Sequence, residues 1–163
     1  MKFLAQIAAY AAFAAILGLL SVWPDYRLLA PDQAIVSLTF SHAGQRIGEC
    51  RKLTQDELNE LPPNMRNPMA CPRDRHPIRV ELWADGAVLF QEIAPPSGLW
   101  SDGKATVYRR LQVDAGRHEL FVGMNDSGGD DGFDFELKST QVLKPGQNLV
   151  IDFDELQQSF VFR

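Results

Sequence analysis

The sequence predicts a mainly β protein, in which a single N-terminal transmembrane helix precedes an antiparallel β-sandwich of about seven strands, immunoglobulin-like in type. Two observations predict this class. Residues 3–23 carry no charge, and from residue 34 onward apolar residues recur at every second position, the period of a half-buried strand. The chain therefore divides into an anchor with a juxtamembrane segment, 1–30, and one domain, 31–163, large enough to hold its own core.

The hydrophobic opening predicts an uncleaved membrane anchor. Its 21 residues, 3–23, would form a helix of about 31 Å, close to the thickness of a bilayer's hydrocarbon core. A cleavable signal peptide is the alternative, but Ser21 would need a small partner where Trp23 stands, and a cut after Ala30 would be followed by proline. Trp23 and Tyr26 are expected at the membrane boundary.

The charges flanking this segment predict its orientation. Lys2 and the α-amino group precede it, whereas Asp25 offsets Arg27 beyond it. Positive charge favours the cytoplasmic side, so we expect a bacterial inner-membrane protein that crosses once, with a cytoplasmic N-terminus and a periplasmic domain.

Small residues recur along the anchor at spacings that suit helix packing. Ala8, Ala12, Ala15 and Gly18 belong to a ladder of small residues, which let helix backbones approach closely in lipid. The pattern predicts that the anchor binds an integral membrane complex. The alternative is a lone anchor that merely tolerates alanine.

The soluble part shows seven segments of strand period joined by turn signals. Asp85-Gly86 is a strong hairpin signal, and we expect Asp114-Ala115-Gly116 and Pro145-Gly146 to join two further strand pairs. Tight turns require antiparallel pairing, which excludes a doubly wound parallel sheet; a small barrel is the structural alternative. The predicted strands cover residues 34–40, 78–83, 87–93, 107–113, 118–124, 133–137 and 149–153.

An insertion, residues 42–77, interrupts this regularity. Thr54 and Glu57 have the spacing of a capping box, which predicts a short helix that ends near Leu61, before two prolines. A loop this long in a compact domain is usually functional or disordered. We interpret this one as functional because the only two cysteines bracket most of it.

Cys50 and Cys71 are predicted to form a disulfide. Closing a loop of this length stabilises a fold by about 3 kcal/mol in the chain-entropy model. Disulfides persist outside the cytoplasm, which agrees with the predicted orientation. Two free thiols are one alternative.

A metal site in the insertion is the other alternative. Met65, Met69, Cys71 and His76 lie within a dozen residues, with Cys50 and His42 as possible neighbours, and thioether, thiolate and imidazole groups together suit copper. The four aspartates of loop 126–134 are a second metal candidate, for calcium; the alternative is a solvated loop.

Loop 95–103 is the predicted contact surface for a partner or ligand. Leu99 and Trp100 stand there among polar and turn-forming residues. An exposed tryptophan anchors protein interfaces or stacks on a sugar. The alternative is a side chain that folds back over the sandwich.

Charge patterning excludes one class of partner and suggests another. The net charge of −5 argues against nucleic-acid binding, which needs a basic face. Residues 114–163 hold ten Asp or Glu against four Lys or Arg, and this acidic half could attract a basic soluble partner. The alternative is a surface that is simply soluble.

No catalytic motif stands out. The three histidines are dispersed, and His118 alternates with apolar residues in a way that predicts a core-facing ring. There is no nucleophile elbow, phosphate loop or zinc-protease motif. We therefore expect no enzymatic activity and no cofactor, and predict an accessory subunit or assembly factor of an inner-membrane complex, such as a respiratory one. The alternative is a periplasmic ligand-binding module, for copper through the insertion or for carbohydrate through Trp100.

Overall fold

The structure, a computed structural model, describes residues 2–23, 29–129 and 131–163. Asp25, Tyr26, Arg27 and Asp130, which enter the predictions above, lie outside these residues. The chain divides into two compact units, 1–30 and 31–163.

The first unit contains helix α1, Lys2–Val22. Alanine and leucine, which are strong helix formers, dominate its sequence. Its mean hydropathy is 2.1 and none of its residues is buried. The helix is long and apolar enough to cross a membrane.

The second unit is built from strands. Among the described residues of this unit there are ten strands, one α-helix and one short 3-10 helix, Pro63–Met65. The helix is α2, Gln55–Glu60. The strands are β1 Gln33–His42, β2 Arg51–Lys52, β3 Met69–Ala70, β4 Ile78–Ala84, β5 Ala87–Ala94, β6 Ala105–Asp114, β7 Gly116–Asn125, β8 Phe135–Leu143, β9 Asn148–Asp154 and β10 Ser159–Phe162.

The described strands form three sheets. One four-stranded sheet has the order β10-β9-β1-β6, a second has the order β5-β4-β7-β8, and β2 pairs with β3 alone. The mainly β class is confirmed, and neither large sheet closes into a barrel. The predicted number of strands is too low, because β2, β3 and β10 carry no run of alternating residues long enough to register as strands. The immunoglobulin-like assignment is not confirmed.

Both large sheets contribute to one hydrophobic core. In β4 every second side chain is buried, which is the alternation the sequence shows. Val36, Leu38 and Ile151 from the first sheet share the core with Leu82 and Val122 from the second, and all five are completely buried. The inner faces of the two sheets thus supply the apolar area that stabilises the domain.

The turns explain why the predicted pairings hold only in part. Asp85 and Gly86 both have positive φ, 52° and 82°, and join β4 to β5 as the predicted hairpin. The turns at 114–116 and 144–147, however, carry the chain from one sheet to the other. Their backbone N–H groups donate to the carbonyls of Asp32 and Gln33, so they close on the start of β1 and do not form hairpins.

This crossing also produces a parallel strand pair. Because the chain changes sheets after β8, β9 runs alongside β1 in the same direction, with Ile35 opposite Asn148. The other paired strands are antiparallel, so the antiparallel prediction is correct for the sheets in general but wrong for this pair.

The insertion has local order of its own. Thr54 and Glu57 form the complete capping box at the start of α2. The hydrogen bond from Arg51 and that from the backbone of Thr54 lower the pKa of Glu57 to about 2. Cys50 and Cys71 form the predicted disulfide, next to the β2–β3 pair.

Candidate functional site

The loops of the domain gather at one end, which we call the distal end. Strands β1, β5, β7 and β9 finish there, and β4, β6, β8 and β10 begin there. The distal end therefore carries four segments: residues 43–77, 95–104, 126–134 and 155–158. The chain enters the domain at the other end of β1, whose ten residues span about 33 Å.

A buried polar cluster ties these segments together. His42 and Asp126 are only 5% and 4% exposed, and His42 Nε2 lies 2.7 Å from Asp126 Oδ2. The other ring nitrogen, Nδ1, lies 3.3 Å from Oε1 of Glu155. Gln45 donates to Asp126 at 3.0 Å, and Lys104 donates to Glu155 at 3.2 Å.

The cluster holds the loops of the distal end together. Both nitrogens of the His42 ring lie within hydrogen-bond distance of carboxylate oxygens. The ring also packs edge-on against Phe135 and Phe153, at centroid distances of 5.9 and 4.9 Å. A buried imidazole that bonds a carboxylate at each nitrogen is suited to holding the loops that supply those carboxylates.

Two carboxylates at this end are held ionised. Burial raises the pKa of Glu155, but hydrogen bonds from Lys104 and His42 outweigh it, and the net pKa lies below the ordinary value. Burial likewise raises the pKa of Asp134, but hydrogen bonds from the backbone N–H groups of Asp126 and Ser127 outweigh this effect. The net pKa of Asp134 is therefore below its ordinary value. Both groups are therefore negative at neutral pH and fix the loops that donate to them.

Loop 95–104 has a defined conformation at the distal end. Gly98 and Ser101 adopt positive φ angles of 91° and 49°, and the N–H of Gly103 donates to the carbonyl of Ser97 at 2.9 Å. Gly103 has no room for a side chain, because an added Cβ would lie 2.3 Å from Oγ of Ser97. From the insertion, the N–H of Arg75 donates to the carbonyl of Ser101.

The tip of this ordered loop presents two large apolar side chains to solvent. Leu99 is 91% exposed and Trp100 is 66% exposed. The alternative that Trp100 folds back over the sandwich is therefore wrong. Exposed apolar groups on a fixed loop lose little conformational entropy when a partner covers them, so Leu99 and Trp100 are suited to anchor an interface.

No protein family matches the chain, and no curated protein or solved structure is found to match it. The site is therefore interpreted from its own geometry.

The disulfide removes the cysteine ligands from the predicted metal site. Cys71 is bonded to Cys50, so it has no thiolate to offer, and Met65 is well exposed to solvent. Within the described ranges, no group of three or more His, Cys, Asp or Glu side chains is arranged to hold a metal ion. The copper hypothesis retains only Met65, Met69 and His76.

Two of the described carboxylates in the acidic loop 126–134, those of Asp126 and Asp134, form hydrogen bonds within the domain. Asp126 belongs to the His42 cluster, and Asp134 accepts hydrogen bonds from the backbone of Asp126 and Ser127 at 2.8 and 3.0 Å. These contacts fix the two ends of the loop, and the calcium site stays a prediction. Elsewhere in the acidic half Glu119 pairs with Lys138 and Asp152 with Arg163, which reduces the free charge available to a basic soluble partner; that partner stays a prediction.

In the first unit, Ala8, Ala12, Ala15 and Gly18 lie on α1 and are exposed. An added Cβ at Gly18 would meet nothing within 4 Å. The structure thus leaves the small-residue ladder open along the helix.

An apolar groove lies on the outer face of the second sheet. Its volume is about 270 Å³, and Trp83, Phe121 and Phe133 supply its aromatic lining, with Glu119 and Lys138 also in contact with it. The ring of Phe133 lies against Gly123, where a Cβ would come within 2.6 Å of it. The sequence does not indicate this groove, because its residues belong to different strands.

His118 is placed differently from the prediction. It lies on the same side of β7 as Leu120 but at the edge of the core, with Nδ1 2.6 Å from Asp85 Oδ2 and Nε2 2.8 Å from the carbonyl of Asp114. The hydrogen bond to Asp85 raises the pKa of His118. The residue thus connects two turns at the end opposite the insertion.

Sequence reasoning missed the cluster around His42. Its members are separated by 84 residues from His42 to Asp126 and by 113 from His42 to Glu155. No local motif can announce such a group, since only the sheet topology brings its members together.

Proposed function

We propose that this protein is a non-enzymatic accessory subunit or assembly factor of a bacterial inner-membrane complex. In this proposal α1 anchors the chain and packs against helices of the complex, with its N-terminus in the cytoplasm. The domain lies in the periplasm and docks on a protein partner through loop 95–104 of the distal end. A respiratory complex is one such setting.

One observation carries the proposal: the exposure of Leu99 and Trp100 at the tip of a loop that is fixed by hydrogen bonds. Exposed apolar residues scattered over a surface need no explanation. A leucine and a tryptophan side by side on an ordered loop, however, form a contact area of the kind that dominates binding energy at interfaces.

The remaining support is of three kinds. The disulfide between Cys50 and Cys71 suits an extracytoplasmic domain. The apolar length of α1 suits a single membrane crossing, and its small residues suit close packing with other helices. The buried histidine cluster uses its polar groups to hold loops, as expected of a binding domain.

The experiment compares complex formation in native membranes after mild solubilisation. Replacing Leu99 and Trp100 by aspartate should shift the protein from a high-molecular-weight complex to the free form on a native gel. Leu156→Asp is the matched control, because Leu156 is an apolar side chain that is 97% exposed at the same end. If the wild type runs only as a free monomer, or if both changes act alike, the docking proposal fails.

A second arm tests the helix. Ala8, Ala12 and Ala15 changed to leucine should release the protein from the complex by blocking close approach. Leu17→Phe adds bulk on the opposite side of the helix and should leave the complex intact. Unchanged co-purification of the alanine variant would remove α1 from the interface.

A carbohydrate-binding module is the second candidate function. The observation that favours it is the aromatic groove lined by Trp83, Phe121 and Phe133, because aromatic faces stack on sugar rings. A set of defined cell-wall oligosaccharides should then bind the wild type and the Trp100→Ala variant equally, and the Trp83→Ala variant poorly. Binding that depends on Trp100 instead would place the sugar at the distal end.

A further inference from the structure

A basic pocket lies beside the Leu99–Trp100 tip. Its volume is about 190 Å³, and it is lined by Arg46, Arg73, Arg75 and Asp102. Arg46 and Arg75 face each other across an isolated antiparallel bridge. Backbone pairing within the insertion therefore brings the arginines together from positions far apart in the sequence.

Neutral carbonyl groups hold two of the three guanidinium groups. Arg75 donates from Nε to the carbonyl of Asp102 at 2.9 Å and from Nη1 to that of Gly44 at 2.8 Å. Arg46 donates to the carbonyl of Pro72 at 3.3 Å. Of the three, only Arg73 meets a carboxylate among the described residues, with Nε 3.2 Å from Oδ2 of Asp102.

The pocket consequently keeps an excess of positive charge. Carbonyl oxygens fix a guanidinium without neutralising it, so the one carboxylate offsets one of three positive charges. Each arginine has five N–H donors, and the contacts above use one or two on each. This arrangement occurs in a chain whose net charge is −5, so the positive charge is a local feature of the pocket.

The pocket and the apolar tip belong to one ordered surface. Asp102, which binds Arg73 and Arg75, is two residues from Trp100 in sequence. Arg75 also holds the tip through the carbonyl of Ser101 at 3.1 Å. A partner that covers Trp100 therefore reaches the arginines with an adjacent group.

We propose that this pocket binds a carboxylate of the protein partner, presented next to an apolar side chain that covers Leu99 and Trp100. This inference rests on the proposed function and names the chemistry of the partner: an acidic and apolar segment. The planar fork of arginine matches a carboxylate in two parallel hydrogen bonds.

Other anions suit the surface less well. Anionic membranes are recognised by clusters of about four to eight Lys or Arg. Residues 42–77 hold six basic residues but also five acidic ones, so their charges nearly cancel. Free phosphate has no apolar group to cover Leu99 and Trp100, so it would contact the arginines without burying the exposed tip.

The test uses the full chain in nanodiscs of neutral phosphatidylcholine. The probe is 4-methylpentanoate, a carboxylate with an apolar tail, and the readout is the side-chain NMR signals of Arg73, Arg75 and Trp100. We expect saturable shifts at constant ionic strength. The corresponding alcohol, 4-methylpentan-1-ol, should bind at least tenfold more weakly because it lacks the carboxylate.

Variants assign the binding to the pocket. The double variant Arg46→Gln and Arg73→Gln should weaken binding of the probe at least tenfold, while Arg110→Gln, an exposed arginine on β6, should leave it unchanged. Acetate lacks the apolar tail and should bind the wild type more weakly than 4-methylpentanoate does. Trp100→Ala should remove this difference in affinity. The indole signal of Trp83 reports that each variant is folded.

Several outcomes would overturn the inference. These are equal binding of acid and alcohol, an unchanged affinity in the double arginine variant, tighter binding of inorganic phosphate than of the probe, or arginine-dependent binding to phosphatidylserine vesicles in place of the probe. The native-gel experiment separates this inference from the proposed function. If formation of the complex requires Trp100 but not the arginines, the docking proposal stands and the inference that the pocket binds a carboxylate is wrong.

Discussion

Removing the carboxylate of Asp126 should destabilise the domain strongly. Its Oδ2 lies 2.7 Å from His42 Nε2, and its Oδ1 accepts from Gln45 at 3.0 Å. A hydrogen bond to a charged group contributes about 1.5–3 kcal/mol and a neutral one about 1 kcal/mol. Asp126→Ala loses the bonds to His42 and to the exposed Gln45, and it also leaves the buried His42 without that acceptor. We expect the free energy of unfolding to fall by about 3–4 kcal/mol, because the hydrogen bonds to the carboxylate are lost and the buried imidazole is left without its acceptor.

The assay is urea denaturation of the full chain in a nonionic detergent, followed by circular dichroism of the β domain. Asp131→Ala is the control, because Asp131 is an exposed aspartate of the same loop. His42→Ala and the double variant complete a cycle. Since His42 and Asp126 act as a pair, the double variant should cost at least about 1 kcal/mol less than the two single effects combined.

A small effect would refute this reasoning. If Asp126→Ala changes the free energy of unfolding by about 0.5 kcal/mol or less, as surface substitutions do, the pair does not hold the loops. Additive single effects would mean that the two residues act independently of each other.

Three further predictions concern the rest of the domain. Replacing Cys50 and Cys71 by serine should lower the free energy of unfolding, measured by urea denaturation, by about 3 kcal/mol. Dithiothreitol should lower the denaturation midpoint of the wild type and leave that of the variant unchanged. His118 has its pKa raised by the hydrogen bond to Asp85, so its stabilising charge is fully present below about pH 6.5 and is lost as the pH rises through the higher folded value. The stability difference between wild type and His118→Gln should therefore be larger at about pH 6 than at about pH 9. Gly44→Ala would place a Cβ 2.1 Å from a backbone carbonyl oxygen of the insertion and should lower the melting temperature and expose residues 43–77 to limited proteolysis.

The strands were predictable because their evidence is local. Alternation of apolar and polar residues marks one face of a strand, and β4 shows it in both sequence and burial. The turn at Asp85-Gly86 was predictable for the same reason, since its positive φ angles depend on those two residues. The capping box of Thr54 and Glu57 also lies within one helical turn.

The pairing of strands was less predictable because it is not local. The turns at 114–116 and 144–147 reverse the chain, as their residues indicate, but they lead into the opposite sheet. A turn signal in the sequence predicts that the chain reverses, but it does not predict which strand the next strand pairs with. That pairing depended on Asp32 and Gln33, whose carbonyls accept the N–H groups of these turns.

The sequence by itself determined the apolar N-terminal helix, the mainly β class and the disulfide between Cys50 and Cys71. It also predicted that loop 95–103 is a contact surface for a partner or ligand. These follow from composition, from short periods and from the scarcity of cysteine. Only the tertiary structure decided that His42 meets Asp126, that three arginines surround one pocket, and that Trp100 stands exposed beside them. The reason is that strand pairing joins residues far apart in the chain, and no local pattern records which partners they find.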